Sequence, residues 1–252
     1  MTRWHSFLLF AVLACLSGCA TADRSSITVG AASSLQPLLE SMSSNFEKET
    51  GITLLISYSA SGIIARQIEE GAPIDVFVSA GSNYVDDLTT GSFLRMDSIS
   101  TFAYGELSLV RPDLPGKAES WFAGAQRIAI ANPAIAPYGA AAQQLLESSG
   151  MWEDVQPRLV IAESALQAYQ FVKAGEVDYA FVPLPLIRIS SSDVVDGDSE
   201  SAGLGAMPSI SYVAAVTIWT TQENHARTFI NYLRSSKVKM TEYGYDTALG
   251  VP

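Results

Sequence analysis

Four short stretches of this 252-residue chain place serine, glycine and alanine directly ahead of a helix-forming pattern. The first is Ala31-Ala32-Ser33-Ser34-Leu35, and the second is Ser59-Ala60-Ser61-Gly62 leading into Ile63-Ile64-Ala65. The third is Pro137-Tyr138-Gly139-Ala140, and the fourth is Glu163-Ser164-Ala165-Leu166-Gln167. Each could simply cap its own helix. In the first, Ser34 is the better N-cap, because Pro37 then falls at N3, where its missing N–H costs no helical bond. In the fourth, Ser164 and Gln167 have capping-box spacing. Four neutral turns of one kind nevertheless point to a shared task. Helix N-termini present unpaired N–H groups and about half a positive charge each, so they bind oxyanions without Lys or Arg. Small residues let the backbone approach closely. A site made almost wholly of donors suits an anion that is fully deprotonated at neutral pH. A protonated phosphate would need a carboxylate acceptor as well, and only Glu163 stands at a turn tip.

The remaining chemistry is narrowed by scarcity. Cysteine occurs at 15 and 19 and histidine at 5 and 225, which leaves no set for a Cys/His zinc cluster. A Ser-His-Asp triad would have to use His225, in the polar stretch TTQENHARTF, which reads as a loop entering a helix; no G-x-S-x-G elbow accompanies it. The expectation is a binding protein with no catalytic residues and no cofactor. Lys+Arg 15 against Asp+Glu 26 gives a net charge of −11, which disfavours nucleic acid as a partner. Salt screens that acidic surface beyond roughly 8–10 Å, so an anion site here must work through short, preorganised donors. Arg66 is expected to be solvated, Asp75 to fix a loop by hydrogen bonds, and Trp121, Trp152 and Trp219 to lie in the core or at its rim.

The elements that must position these turns alternate regularly. Ile27–Ala31, Ile52–Ser57 and Asp75–Ser79 read as strands. Between the first two, Leu35, Leu38, Leu39, Met42 and Phe46 recur at helical spacing, and a helix over Gly62–Glu70 precedes the third. This β-α-β-α-β order predicts right-handed crossovers and a parallel sheet. Tyr104–Val110 is extended, and the alternation then restarts. Arg127–Ala131, Leu159–Ala162 and Tyr179–Val182 are strands, with helices over Gly139–Ser148 and Ala165–Ala174 between them. Ser190–Gly205 reads as a mobile surface loop. Tyr212–Trp219 is a strand, and Ala226–Leu233 plus one further helix close the chain. Two similar units joined by two extended crossings predict two lobes with a cleft between them.

The N-terminus reads as an export signal. Arg3 precedes the apolar run FLLFAVLACL, too short to span a bilayer, and no run of 18 apolar residues lies beyond it. Leu16-Ser17-Gly18-Cys19 resembles a bacterial lipobox, which implies cleavage of 1–18 and acylation of Cys19, with 19–26 as a tether. The mature chain 19–252 then carries 14 basic and 26 acidic side chains and has no disulfide. It would be exported and lipid-anchored in the cell envelope.

The runs ITVGAASSLQPLLESMSSNFEKETG and SYSASGIIARQIEEGAPIDVFVSA resemble the molybdate-binding proteins of ABC transporters, with IARQIEEGAPIDVFVSA the most specific part. NPAIAPYGAAAQQLL, WEDVQPRLVIAES and the closing YGYD are similar in order and spacing, so the likeness covers essentially 27–252. It implies an α/β, two-lobed periplasmic-binding-protein fold of type II. Each lobe would be a mixed, mainly parallel sheet flanked by helices, with two hinge crossings. Lobe I would comprise 27–105 and 213–252, and lobe II 106–212. The resemblance also implies a cleft closing on molybdate or tungstate, a monomeric binding protein, and an ABC permease with its ATPase as partners. By this likeness the anion's ligands fall on Ser34 and Ser61, through hydroxyl and backbone N–H, and on the backbone N–H groups of Tyr138 and Ala165. The only metal these residues would meet is the molybdenum of the oxyanion.

One departure stands out. The family commonly supplies a tyrosine hydroxyl just after the strand that follows the fourth helix, and here that position is Pro183. Tyr138 stands where a small residue is usual, so its hydroxyl is expected to replace the missing donor. Tyr138→Phe would then weaken binding by about 1–3 kcal/mol. Sulfate or a related divalent oxyanion remains an alternative ligand. An anion-sensing lipoprotein without a permease, or an enzyme on the same fold, are alternative classes.

Overall fold

Short apolar strands separated by amphipathic helices can bury both faces only by layering helices over a sheet. The computed structural model describes residues 25–112, 124–189, 194–196 and 204–248. The expected signal segment, Cys19, tether residues 20–24, Trp121 and most of the Ser190–Gly205 stretch lie outside them, while Ser26, expected in the tether, opens the first strand.

The first half contains strands β1 (Ser26–Ala32), β2 (Thr53–Ser59) and β3 (Val76–Ala80) with helices α1 (Gln36–Thr50), α2 (Ser61–Glu69) and α3 (Asn83–Thr90). β1 runs parallel to both β2 and β3, with Val29 beside Ile56 and Val76. Leu35, Leu38, Leu39, Met42 and Phe46 are all buried, as their spacing predicts. They form one core with helix α8 (Glu223–Ser235), where Phe46 packs edge-on against Phe229 at 5.4 Å.

The second half repeats the scheme with β5 (Ile128–Ala131), β6 (Leu159–Ala162) and β7 (Tyr179–Pro183). Its helices are α4 (Pro137–Ser148), α5 (Trp152–Val155), α6 (Ala165–Lys173) and α7 (Leu184–Ile189). β5 is parallel to both β6 and β7. A short strand, β8 (Val194–Asp196), falls within the stretch expected to be loop. The chain closes with β9 (Ser209–Val216), α8 and α9 (Lys237–Glu242).

β4 (Ser100–Pro112) joins the halves. Its residues Ser100–Glu106 pair antiparallel with β9, and from Leu107 onward it pairs with β7 and β8 instead. A register shift between Thr101 and Ala103 bends the ladder before that exchange. The strand order β2-β1-β3-β9-β4-β7-β5-β6 is therefore two sheets sharing one long strand. The fold is the two-lobed α/β type, with the strand-to-helix turns of both lobes facing one cleft.

Local details correct the sequence reading. Ser34 does not cap α1: a 3-10 turn over Ser33–Leu35 intervenes, Leu35 is the N-cap, and Pro37 falls at N2. α4 begins at Pro137, two residues before the expected start, because Pro fits the first helical position. α3 was not expected from the sequence; it is only eight residues long, and Val85 and Leu88 are its buried residues. Asp75 accepts from the Thr28 N–H and the Thr220 hydroxyl, and Arg66 pairs with Glu70 on an exposed helix face. Trp219 is partly exposed and donates its indole N–H to Ile68.

Candidate functional site

Ser34, Ser61, Tyr138 and Ala165 come together on one small chamber between the lobes. Ser33, Ser59 and the alanines at 32, 60, 80 and 136 complete most of its wall, and no charged residue lines it. Ser61 is the first residue of α2, Tyr138 the second of α4, and Ala165 the first of α6. Their N–H groups are thus among the first-turn donors that no helical carbonyl can reach. Three helix N-termini converge on one small volume, and the wall offers them no side-chain carboxylate.

The serine side chains confirm that capping is not their common role. Ser61 makes no cap bond; its Oγ accepts from the Ala80 N–H at 3.1 Å, which leaves its own proton to donate. Only Ser164 caps, accepting from the Gln167 N–H at 3.2 Å. Gln167 reaches back to the Glu163 N–H at 2.6 Å, one residue earlier than a standard box.

Close approach is built in by glycine. A Cβ on Gly139 would lie 2.1 Å from the Ala131 carbonyl oxygen, so only glycine lets the first turn of α4 rest against the end of β5. At the rim the lobes touch directly. The Gly62 N–H donates to the Ile135 carbonyl at 2.9 Å, and the Tyr84 hydroxyl donates to the Ala134 carbonyl at 3.2 Å. These bonds tie the two halves together beside the chamber. Tyr84→Phe is therefore expected to weaken ligand binding by about 0.5–1.5 kcal/mol, the net worth of one neutral hydrogen bond, measured by titration.

The expectation for the Tyr138 hydroxyl is overturned. Tyr138 is 2% exposed, and its Oη donates to the Gly105 carbonyl at 3.0 Å, within β4. A Cβ on Gly105 would sit 2.3 Å from that oxygen, so glycine is required there too. The hydroxyl is engaged in a tyrosine cluster, leaving the backbone N–H as this residue's contribution to the chamber. Pro183, buried at the end of β7 opposite Leu107, is not among the residues of the chamber wall.

Sequence reasoning missed two members of that cluster. Tyr212 in β9 lies 3.0 Å from both Ser34 Oγ and Tyr138 Oη, and Tyr245 donates to the Ser34 carbonyl at 3.1 Å. A signal was present: a tyrosine inside an apolar strand must find its hydroxyl a partner when buried. Burial pushes the Tyr212 phenol up to about 12 and those of Tyr138 and Tyr245 well above their ordinary value, so all three stay protonated.

A larger open groove runs beside the start of β4, lined by Asp97, Phe102, Tyr104, Arg227, Arg234 and Lys237 among others. Arg227 there is already paired with Asp97 and Glu223.

The chain is 34% identical over 184 residues to the molybdate-binding protein ModA of Azotobacter vinelandii, covering 71% of this chain and 72% of that one. It is 28% identical over 264 aligned positions to YvgL of Bacillus subtilis, named as an ABC transporter substrate-binding lipoprotein, covering 97% and 99%. Among solved structures, the Azotobacter vinelandii periplasmic molybdate-binding protein superposes with a TM-score of 0.77 at 28% identity, covering 90% of this chain and 99% of that one. These relatives are binding proteins and not enzymes. The model of the bacterial extracellular solute-binding protein family matches residues 27–246, and this chain belongs to that family.

Proposed function

We propose that this chain is the substrate-binding lipoprotein of a molybdate importer, holding molybdate or tungstate between its lobes. The observation that carries the reading is the convergence of Ser34, Ser61, Tyr138 and Ala165 on one uncharged chamber. Ser34 and Ser61 donate their hydroxyl protons and backbone N–H groups to the anion, and Tyr138 and Ala165 donate N–H groups from the opposite lobe. The Azotobacter vinelandii relative named for molybdate supports this choice of ligand, and YvgL supports the lipoprotein and ABC-transporter setting.

Lobe I comprises 27–105 and 213–252, and lobe II 106–212. The exchange of β4 from β9 to β7 after Glu106 supports that boundary. Rotation about β4 and the approach to β9 opens the chamber, and closure buries the anion. An ABC permease with its ATPase takes the anion from the opened form. Export with acylation at Cys19 keeps the protein at the membrane as a monomer. No helix among the described residues is long and apolar enough to cross a membrane.

Calorimetric titration of residues 20–252 with molybdate, tungstate and sulfate tests the reading. Tight 1:1 binding of the first two with sulfate silent supports it. Sulfate binding in preference to molybdate reassigns the ligand, and no heat from any of the three overturns the oxyanion reading.

A further inference from the structure

The segment between β5 and α4 uses up all of its backbone donors but one. Asn132 follows β5, and its own N–H donates to the Ala162 carbonyl at 2.7 Å, at the end of β6 and just ahead of the fourth turn. Its side-chain Oδ1 accepts from the Ala134 N–H at 3.0 Å, an Asx turn. Its carbonyl accepts from the Ile135 N–H at 3.2 Å and the Ala136 N–H at 2.9 Å. Pro133 and Pro137 have no N–H to give. Gly139 and Ala140 both donate to the Ala136 carbonyl. From Asn132 to Ala140, only the Tyr138 N–H has no partner among the described residues, and Tyr138 lines the chamber.

Two carbonyls of the same segment serve the other lobe. Ala134 accepts from the Tyr84 hydroxyl and Ile135 from the Gly62 N–H. Gly62 leaves no room for a side chain at that contact: an added Cβ would lie 2.7 Å from the Tyr84 hydroxyl and 3.0 Å from the Ile135 oxygen. We propose that the turn Asn132–Tyr138 couples anion binding to lobe contact, with Asn132 as its positioning residue. One segment presents its spare donor to the anion and two acceptors to lobe I, so the shape that seats the anion is also the shape that joins the lobes. Asn132 sets that shape by taking up the donors of Ala134, Ile135 and Ala136. It is absent from the chamber wall and acts through Tyr138, Ala134 and Ile135.

This inference rests on the oxyanion reading. Asn132→Ala frees the Ala134 N–H and loosens both faces of the turn, and is expected to weaken molybdate binding about threefold to tenfold. Asn132→Ser keeps an oxygen that can take the Ala134 N–H, so it should bind better than Asn132→Ala. Tyr84→Phe should weaken wild type but add little in the Asn132→Ala background, because the carbonyl it addresses is no longer held in place. Gly62→Ala improves the helix propensity of α2, yet its methyl meets Tyr84 and Ile135. It should therefore weaken binding about threefold or more.

The test is calorimetric titration of wild type, the four single variants and the Asn132→Ala, Tyr84→Phe double variant with molybdate. Thermal melts show that each is folded at the titration temperature. A merely structural loss at Asn132 would add in full to the Tyr84→Phe effect, and that result overturns the coupling. So does unchanged affinity in Asn132→Ala, or an Asn132→Ser no better than Asn132→Ala. If Asn132→Ala fails to fold, Gly62→Ala decides: wild-type affinity there contradicts a lobe contact tied to binding. Failure of the coupling alone shows as normal wild-type binding with variants that do not respond. A wild type that binds neither molybdate nor tungstate overturns the functional reading itself, and this inference with it.

Discussion

Ser61→Ala is expected to weaken molybdate binding by about 1.5–3 kcal/mol, roughly tenfold to over a hundredfold, because a hydrogen bond to a charged ligand is lost. The same change should cost the empty protein about 1–3 kcal/mol of stability, because the buried Ala80 N–H loses the Ser61 oxygen it donates to. The two effects are separable. The orphaned Ala80 N–H is present with and without ligand, so it largely cancels from the affinity and shows in the melting temperature. Titration measures the first and thermal unfolding the second. An affinity within about threefold of wild type, equivalent to less than 1 kcal/mol, would remove Ser61 from the anion's contacts.

The second large effect is at Gly139. Its place against β5 leaves no room for a side chain: the Ala131 oxygen and carbon and the Asn132 carbonyl carbon all lie within 3 Å of an added Cβ. These are backbone atoms, so no rotamer change relieves the clash. Gly139→Ala must push the first turn of α4 away from the strand, and the Tyr138 N–H moves with it. A loss of about 1–3 kcal/mol in stability, the usual cost of overpacking, should accompany reduced affinity in the same variant. Unfolding by denaturant and titration together check it. Normal stability with normal affinity would mean that the close approach of α4 to β5 is not needed.

Much of this was legible in the sequence for identifiable reasons. The period of Leu35, Leu38, Leu39, Met42 and Phe46 located α1 because burial of one helix face leaves that spacing. The four strand-to-helix turns were legible because short runs rich in small, uncharged residues recur where a strand pattern gives way to a helical one. The tyrosine cluster was not. Tyr212 and Ser34 are 178 positions apart, and only pairing of β9 between β3 and β4 brings them within reach. The role of the Tyr138 side chain failed for the same reason: its partner Gly105 lies in the strand shared by the lobes, and residue type alone does not show that acceptor. The 3-10 turn before α1 was hidden because Pro37 is compatible with more than one helix start.

The most direct measurement of the central claim is a crystal structure of residues 20–252 grown with tungstate, using tungsten's anomalous signal to locate the anion. The expected result is one strong peak in the interlobe chamber, with the anion's oxygens at about 2.7–3.2 Å from the Ser34 and Ser61 hydroxyls and the Tyr138 and Ala165 nitrogens. A chamber without tungsten, or the only peak beside Arg234 and Lys237 in the groove on the flank of β4, would contradict it.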